Sequence, residues 1–508
     1  MIEHLPVLLV VLPIVGGAIP LVASLVTDRA GWPIAVATML GHAVLAALLV
    51  GQVWPDTVVS YAVGGFTAPY GIELVVDGLS VAVVALISAI SLGVLAYARH
   101  AGPHSNAFYS QFLLLVTGLT GMTVTGDVFN LYVFLEITGL AAYGLVASGR
   151  EASSAVAALK YLIIGTVGAS LYLLGVGYLL ATTGTLNMAD IASTLGTQSI
   201  PYGSTLVLTA FGLMVGGLTV KVALFPLHTW QPDAYANAPD SVSAFISALV
   251  STVSAYALAR VLFSVFTVDF LTAVPAARWA LVAVASVSIV AGSALAVSQT
   301  NVQRMLAYSS VSQFGLVIAG FTIATPIAVV GATVHLVGHA VMKGGLFAAT
   351  GIIERETGAT TVGSYAGMGS RTPLAAGAFA ILALGMVGVP PAIGFVGKWY
   401  ILLGAVEAEI WPVVVVLLAS TLLTLAYFAR LGERLYFADA TIREEVPAGD
   451  GGEDGLGTPA HRTDGGESVS IGMIAVVVVA AVLAVALTAA VPALDSLLNQ
   501  TLPQLISQ

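Results

Sequence analysis

The sequence predicts an all-α polytopic membrane protein with about 14 transmembrane helices. Of its 508 residues, 58% are hydrophobic and only 8% are charged, against roughly 25% charged residues in soluble domains. Apolar stretches of about 20 residues recur from end to end, and each is long enough to cross a hydrocarbon core of roughly 30 Å. No barrel strand is that long, and a helix satisfies its own backbone hydrogen bonds in lipid.

Fourteen apolar stretches are the predicted spans. They are 5–27, 31–54, 74–98, 108–125, 127–148, 157–182, 205–227, 240–265, 275–298, 304–323, 326–353, 373–406, 411–437 and 470–494. The first follows Glu3 rather than a basic region and is too long for a signal peptide, so we expect it to be retained. The stretch 373–406 would measure about 51 Å as one straight helix, so it must bend, tilt or break.

The distribution of arginine predicts the orientation. Ten of the twelve arginines fall in or beside odd-numbered connections, whereas only Arg260 and Arg278 flank an even-numbered one. This bias places both termini on the extracytoplasmic side of the cell membrane. The polar stretch 438–469 is rich in Gly, Pro and acidic residues, so we expect a flexible cytoplasmic linker before the last helix.

Composition also excludes several kinds of site. The chain has no cysteine, so disulfides, iron–sulfur clusters and thiolate-bound metals are excluded. It has no phosphate-binding glycine motif followed by lysine. We therefore expect no cofactor and no metal site, and the expected partners do not include nucleic acid.

The basic residues divide into two groups. All four lysines lie within apolar stretches, whereas the twelve arginines sit at stretch ends or in loops; the lysines are Lys160, Lys221, Lys343 and Lys398. Arginine cannot deprotonate in a protein, but a desolvated lysine can release its proton near neutral pH. A charge at the membrane centre costs on the order of 3 kcal/mol, so these amines should be paired, hydrated and functional.

Glu136 is the most deeply placed glutamate. It is the tenth residue of the stretch 127–148, roughly 14 Å along a helix. A glutamate and a lysine in one bundle can hold each other charged, and their separation would push both toward neutrality. The alternative is a static ion pair that fixes helix register.

The stretch GATVHLVGHAVMKGGLF carries His335, His339 and Lys343 at positions i, i+4 and i+8. On a helix these residues share nearly one face, about 6 Å apart along the axis. Histidine titrates near neutral pH, so the three could pass a proton through intervening water. The alternative for each histidine is a hydrogen-bonded packing residue.

Prolines predict two broken helices. Pro226 follows Lys221, and Pro390 and Pro391 precede Lys398. Unwound backbone within a membrane is tolerated around a polar cavity, so paired breaks of this kind point to a transport site. One alternative is a kink that serves helix packing. The other is a lysine whose amine reaches toward the membrane surface, and for Lys160 this alternative is nearly as strong as a functional role.

Several of these segments together resemble one family. GDVFNLYVFLEITGLAAYGLV, VKVALFPLHTWQPDAYANAP, NVQRMLAYSSVSQFGLV, HLVGHAVMKGGLF and GVPPAIGFVGKWY are similar to segments of the large antiporter-like subunits shared by respiratory complex I and the Mrp-type sodium/proton antiporters. The resemblance spans roughly residues 74–437. The block GDVFNLYVFLE looks most like the D subunit of Mrp antiporters.

The resemblance implies two inverted five-helix repeats, each with a discontinuous helix. It divides the chain into residues 1–107 (helices 1–3), 108–265 (helices 4–8), 266–437 (helices 9–13), the linker 438–469, and the last helix and tail at 470–508. By motif, Glu136 matches the glutamate of the fifth helix and Lys221 the lysine of the broken seventh. The residues that match the family's central relay are His335, His339 and Lys343. The ionisable residue of the second broken helix corresponds to Lys398.

One position departs from the family pattern. The resemblance implies a further lysine in the eighth helix, where this chain has Thr252 in ISALVSTVSAYALAR. A hydroxyl can hold water but cannot carry the charge. We expect the link from Lys221 to the relay to run through Ser251, Thr252, Ser254 and water, or around them.

The expected function is that of a proton-translocating subunit in a multisubunit antiporter of monovalent cations, sodium above all, and protons. The chain would be a secondary transporter subunit and not an enzyme, with other subunits, protons, sodium and the lipid bilayer as its partners. One alternative is a proton-pumping subunit of a complex I or membrane-hydrogenase type complex. The other is a scaffold subunit that conducts nothing, which Thr252 favours.

Overall fold

The structure, a computed structural model, describes residues 2–54, 57–438 and 469–506. Among these residues, thirteen helices are long and apolar enough to cross a membrane. The remaining predicted span, 373–406, is a broken helix with halves at Pro373–Val387 and Ile393–Glu407. The predicted all-α polytopic architecture is therefore confirmed. The predicted linker, 438–469, lies outside the described residues except at its two ends.

The helices and strands are numbered in chain order. The helices are α1 Leu5–Ala23, α2 Gly31–Val53, α3 Gly78–Ala101, α4 Asn106–Val124, α5 Val128–Ala147, α6 Ala152–Thr183, α7 Met188–Thr194, α8 Thr205–Val222, α9 Gln231–Asn237, α10 Asp240–Arg260, α11 Thr267–Ala273, α12 Pro275–Ser298, α13 Val302–Ile323, α14 Pro326–Thr357, α15 Met368–Arg371, α16 Pro373–Val387, α17 Ile393–Glu407, α18 Trp411–Phe437, α19 Ile471–Ala486 and α20 Val491–Ile506. A π-helical segment, Val261–Phe266, joins α10 to α11. The strands are β1 Val59–Ala62 and β2 Glu73–Val76.

The start of the predicted span 74–98 differs from the structure. Residues Glu73–Val76 form β2, which pairs antiparallel with β1 so that Val59 lies opposite Val76. The helix α3 begins only at Gly78, after Asp77, whose side chain accepts a hydrogen bond from the Ser80 backbone N–H at 2.9 Å. A strand this short and apolar cannot be separated from a following helix by periodicity alone.

Two short antiparallel pairings, each between two connections, share one hydrogen-bonding pattern. In the first half of the chain, Val128 N donates to Leu186 O at 2.9 Å and Met188 N donates to Gly126 O at 2.9 Å. In the second half the equivalent bonds run from Val302 N to Thr360 O at 2.9 Å and from Val362 N to Thr300 O at 2.8 Å.

Each pairing occurs at the same position in one of two five-helix repeats, where the connection before the second helix meets the segment after the third. The first repeat is α4, α5, α6, the broken α8–α9 and α10, and the second is α12, α13, α14, the broken α16–α17 and α18. Because five membrane crossings separate the two pairings, they lie at opposite ends of the bundle, as inverted repeats require. The domain limits that the resemblance implied stay a prediction.

Three helices form the centre of the bundle. Over their most apolar windows, the helix Asp240–Ala273 is 100% buried, α13 is 94% buried and α14 is 89% buried. Over its own most apolar window, the terminal helix Ile471–Leu498 is only 22% buried. Polar side chains on α10, α13 and α14 are therefore shielded from lipid by the other helices.

Arg260 corrects the expectation that every arginine lies at a stretch end or in a loop. The helix that contains it continues to Ala273, so its side chain is buried and 8% exposed. Its Nη2 donates to Asp77 Oδ1 and, at 2.8 Å, to Ser80 Oγ, and its Nε donates to Tyr256 OH at 2.7 Å. A buried guanidinium is tolerated here because a carboxylate and two hydroxyls satisfy it. Arg260 thus links α10 to α3.

Candidate functional site

Lys221 lies beside the first helix break. It is the next-to-last residue of α8, its side chain is buried, and the next residue but one, Ala223, has a left-handed backbone with φ 67°. Its Nζ donates to Tyr143 OH at 3.1 Å and lies 5.6 Å from the centre of that ring. Carbonyls at a helix C-terminus carry partial negative charge, which favours an ammonium in the last turn.

Glu136 and Tyr143 lie on the same face of α5, because seven residues make nearly two turns. Glu136 is half-buried, and no side chain in the described part of the chain forms a hydrogen bond or ion pair with its carboxylate. Lys221 therefore contacts the Tyr143 hydroxyl and makes no ion pair with Glu136. Sequence reasoning missed Tyr143, although the spacing within GDVFNLYVFLEITGLAAYGLV could have indicated it.

Gly139 allows Lys221 to approach α5. A Cβ added at Gly139 would lie 3.1 Å from Lys221 Nζ and 2.9 Å from Tyr143 OH. Both distances are shorter than ordinary van der Waals contact, so a side chain there would displace one of the two groups. The glycine thus sets the distance between the amine and the hydroxyl.

If Lys221 transfers protons, Gly139→Ala should slow ion transport by about tenfold, because a displacement near 1 Å of a reacting group is costly. The control is Gly216→Ala, since Gly216 lies in α8 with no atom within 4 Å of an added Cβ. Transport by both variants is measured in vesicles at equal amounts of assembled complex. Equal rates for the two variants would show that the contact does not matter.

The predicted row on α14 is buried in full. His335, His339 and Lys343 are each 0% exposed. Nε2 of His335 lies 2.9 Å from Gln313 Oε1, and the His339 ring packs edge-on against Phe314 at 4.6 Å. The Lys343 ammonium donates to Leu306 O at 2.7 Å and to Ser309 Oγ. All of these partners lie on α13.

Lys398 lies at the second helix break. Its Nζ donates to Met386 O at 2.8 Å and to Val387 O at 3.1 Å, and these are the last two carbonyls of α16. Such carbonyls lack a partner within their own helix, so the ammonium satisfies them. A Cβ added at the neighbouring Gly397 would lie 2.6–2.8 Å from atoms of His335. This close approach brings α17, and with it Lys398, against the end of the row on α14.

Several buried polar atoms in this interior have no partner among the described residues. They are both ring nitrogens of His339, Nε2 of Gln313 and Oε1 of Gln231. Buried polar atoms are almost always hydrogen-bonded, so these positions call for water. Sequence reasoning missed Gln313 and Gln231, because nothing in their spacing distinguishes them from other polar residues in helices.

Lys160 differs from the other three lysines. Its side chain is 38% exposed, and its Nζ pairs with Asp233 Oδ2 at 2.6 Å. Asp233 Oδ1 also pairs with Arg304 Nη1 at 2.6 Å. The shared carboxylate thus ties α6 to α13 through α9 at the edge of the bundle. Burial raises the pKa of Asp233, but the two cations outweigh burial and hold that pKa below its usual value.

A lowered pKa means that Asp233 stabilises the folded protein above its unfolded-state pKa, near 4, and that the contribution is lost as the pH falls through the folded-state pKa. We expect Asp233→Asn to lower the unfolding temperature at pH 7 by the equivalent of about 1 kcal/mol, since partly exposed ion pairs are weak. The difference from wild type should shrink at acidic pH and in 1 M salt. A thermal scan of the purified complex measures it, and a difference that is independent of both conditions would contradict this reading.

A cavity of about 540 Å³ opens at one end of the bundle. Its lining comes from the connections α3–α4, α5–α6 and α9–α10 and from the C-terminal turn of α14. The three connections are odd-numbered in the predicted topology, and that turn of α14 leads into another odd-numbered connection. Its polar lining includes Ser154, Asn237, Gln303 and Glu354, and an ion pair of 2.9 Å joins Arg355 to Asp240 on its wall. We call this end of the bundle the arginine end.

Comparison with known proteins identifies the family. A family model described as "NADH:quinone oxidoreductase/Mrp antiporter, TM" matches residues 125–424. That range is more than half of the chain and contains every candidate residue named above. The chain belongs to this family. It is an antiporter-like membrane subunit of the kind found in Mrp and complex I type complexes.

Individual relatives come from both branches of the family. The chain is 44% identical to the N subunit of the NADH-quinone oxidoreductase of Desulforudis audaxviator over 86% of this chain and 87% of the relative. It is 30% identical to the D subunit of the Na(+)/H(+) antiporter of Bacillus subtilis over 83% of this chain and 82% of the relative. A chain in the structure of the Mrp complex from Dietzia sp. superposes with a TM-score of 0.87 at 26% identity, covering 99% of this chain and 97% of that one. The more specific expectation, a likeness to the D subunit of Mrp antiporters, stays a prediction, because the identity to an N subunit is higher.

Proposed function

We propose that the chain carries protons across the cell membrane as one subunit of a hetero-oligomeric antiporter of monovalent cations, sodium in particular, and protons. The observation that carries this proposal is the buried row of titratable groups between the two helix breaks. Lys221 lies at the first break, the row of His335, His339 and Lys343 occupies the central helix α14, and Lys398 lies at the second break. In this role the chain is a secondary transporter subunit and has no catalytic site of its own.

The proposed mechanism is electrostatic. A change in the distance between Glu136 and Lys221 alters the proton affinity of the amine, because a nearby carboxylate favours the ammonium form. The Tyr143 hydroxyl, which Lys221 contacts at 3.1 Å, holds the amine while that distance changes. The released proton then moves through Lys343, His339 and His335 toward Lys398. Glu136 is the natural point of control, since it is half-buried and carries no competing ion pair among the described residues.

The cavity at the arginine end supplies an entrance on the predicted cytoplasmic side. Its polar lining reaches the start of α10 at Asp240 and the end of α14 at Glu354. Both helices lead from there into the buried centre of the bundle. In this arrangement both termini lie on the extracytoplasmic side, as the arginine distribution predicts.

A specific observation favours a second candidate. The identity to an N subunit of NADH-quinone oxidoreductase, at 44%, exceeds the 30% identity to an antiporter D subunit. The same interior row would serve a proton-pumping subunit of a redox-driven complex. What supports the antiporter is the resemblance of the block around Glu136 to the D subunit of Mrp antiporters.

Proton movement in vesicles that contain the whole purified complex tests both candidates. An imposed sodium gradient should drive protons in the opposite direction, as followed with a pH-sensitive dye. Proton movement that requires NADH and a quinone instead of sodium would favour the second candidate. If neither drive moves protons, proton translocation by this chain is refuted, and the scaffold alternative remains.

A further inference from the structure

We propose that Gln231, Tyr235 and Ser251 form the polar bridge by which protons cross between Lys221 and Lys343, with Gln231 as its positioning residue. This inference rests on the proposed function and adds the part of the path that no lysine, histidine or carboxylate fills. We call the three residues the amide bridge.

The expected link through α10 is only partly available. Thr252 Oγ1 donates to Ala248 O at 2.6 Å, and Ser254 Oγ donates to Val250 O at 2.8 Å, so both hydroxyls bond to their own helix. Ser251 differs, because its Oγ lies 3.2 Å from Gln231 Nε2 and 3.4 Å from Tyr235 OH. Among these three hydroxyls, the one that bonds to another element in the described part of the chain is that of Ser251.

Gln231 holds both hydroxyls at once. It is the first residue of α9, is 0% exposed, and its Nε2 donates to Tyr235 OH at 3.1 Å as well as to Ser251 Oγ. Since one amide NH₂ group has two hydrogens, each hydroxyl accepts one and keeps its own proton for donation. Two acceptors lie 3.4 Å from Tyr235 OH, and they are Ile246 O and Ser251 Oγ. Hydroxyls oriented in this way can donate one proton while they accept another.

The other end of the amide is available to water. Gln231 Oε1 is buried, and no atom of the described residues donates to it. A buried carbonyl oxygen without a donor is costly, so this atom calls for a water molecule. The amide bridge therefore combines two hydroxyls with a site for water, which is what a proton needs in order to cross without a charged side chain.

Contacts of neighbouring residues connect the bridge with the surroundings of both lysines. On the Lys221 side, Trp230 Nε1 donates to Val220 O at 2.9 Å, next to Lys221 in the chain, and Trp230 stacks at 4.0 Å on Tyr161. Tyr161 in turn packs edge-on at 4.6 Å against Tyr143, the partner of Lys221. Gln231 follows directly on Trp230, so it lies at the end of this aromatic contact chain.

On the Lys343 side, the ring of Tyr235 packs edge-on against Phe347 at 5.6 Å. Phe347 lies one turn after Lys343 on α14. Between them, a Cβ added at Gly344 would lie 3.4 Å from the Ala248 side chain of α10. The turn of α14 that carries Lys343 is thus packed against both the Tyr235 ring and the turn of α10 that precedes Ser251.

The test is Gln231→Leu, which keeps approximate size and removes both amide functions. In assembled complex reconstituted into vesicles, we expect proton transport to fall by about tenfold or more, because the proton loses an oriented path. We also expect a larger ratio of the rates in H₂O and D₂O, since proton transfer becomes rate-limiting. The matched control is Gln299→Leu at the end of α12, where the amide donates to Leu295 O outside the buried centre. It should leave both the rate and the ratio at wild-type values.

A second variant guards against a folding defect. Tyr235→Phe removes only a hydroxyl and should show the same two changes, so it decides the question if Gln231→Leu does not assemble. A normal rate, or a slower rate with an unchanged isotope ratio, would overturn the amide bridge and leave Gln231 as a clamp between α9 and α10. Lys221→Ala run in parallel separates the two proposals. If that variant is inactive while Gln231→Leu is normal, the bridge fails alone, and if Lys221→Ala transports normally, the proposed function fails with it.

Discussion

Lys221→Ala is expected to abolish ion exchange by the assembled complex. Within the described part of the chain, Lys221 is the buried titratable side chain that lies at the first helix break and contacts Tyr143. The tyrosine hydroxyl cannot replace it, since its ordinary pKa is near 10 and its protonated form is neutral. Removal of a group that accepts and releases the transported proton should slow transport by at least about 100-fold.

The matched control is Lys160→Ala, which removes a lysine from the same half of the chain. Lys160 pairs with Asp233 at the bundle edge and contacts none of the row, so its loss should cost some stability and leave transport near the wild-type rate. The measurement is exchange per assembled complex in vesicles. Glu136→Ala should resemble Lys221→Ala, because the amine then loses the carboxylate that controls it. Normal exchange in both variants would remove these residues from the mechanism.

Lys343→Met is the second change with a large expected effect. Methionine has a similar length and no charge, so the protein is spared a buried ammonium while it loses the hydrogen bonds to Leu306 O and Ser309 Oγ. Each lost bond costs about 1 kcal/mol, and assembly should survive. Transport should fall by at least about 100-fold, because no other titratable group of the row lies on that turn of α14.

Lys343→Arg distinguishes charge from proton release at the same position. Arginine keeps the positive charge but does not deprotonate in proteins. If the amine passes protons on, the arginine variant should be as inactive in the vesicle assay as the methionine variant. Transport restored by arginine would mean that a fixed charge is sufficient at this position, which contradicts the relay.

The features that depend on short stretches of chain could be predicted from the sequence. Prolines near Lys221 and Lys398 predicted both helix breaks, because a proline removes a backbone donor whatever surrounds it. The spacing of His335, His339 and Lys343 likewise predicted that they share one face of a helix.

Features that depend on packing between distant segments could not be predicted. Tyr143 contacts Lys221 across 78 positions, and Gln313 meets His335 across 22. Arg260 was misjudged because the apolar residues after it extend the helix to Ala273, and its partner Asp77 is 183 positions away. A serine or glutamine in a helix looks the same in sequence whether its side chain bonds to its own turn or to another helix.

The most direct test of proton passage through the interior is a map of the whole complex at a resolution that shows ordered water. We expect a hydrated or hydrogen-bonded route from Lys221 through Gln231 to Lys343, and from there along His339 and His335 to Lys398. If the map instead shows these side chains without water and separated by continuous layers of aliphatic residues, the chain does not carry protons through its interior.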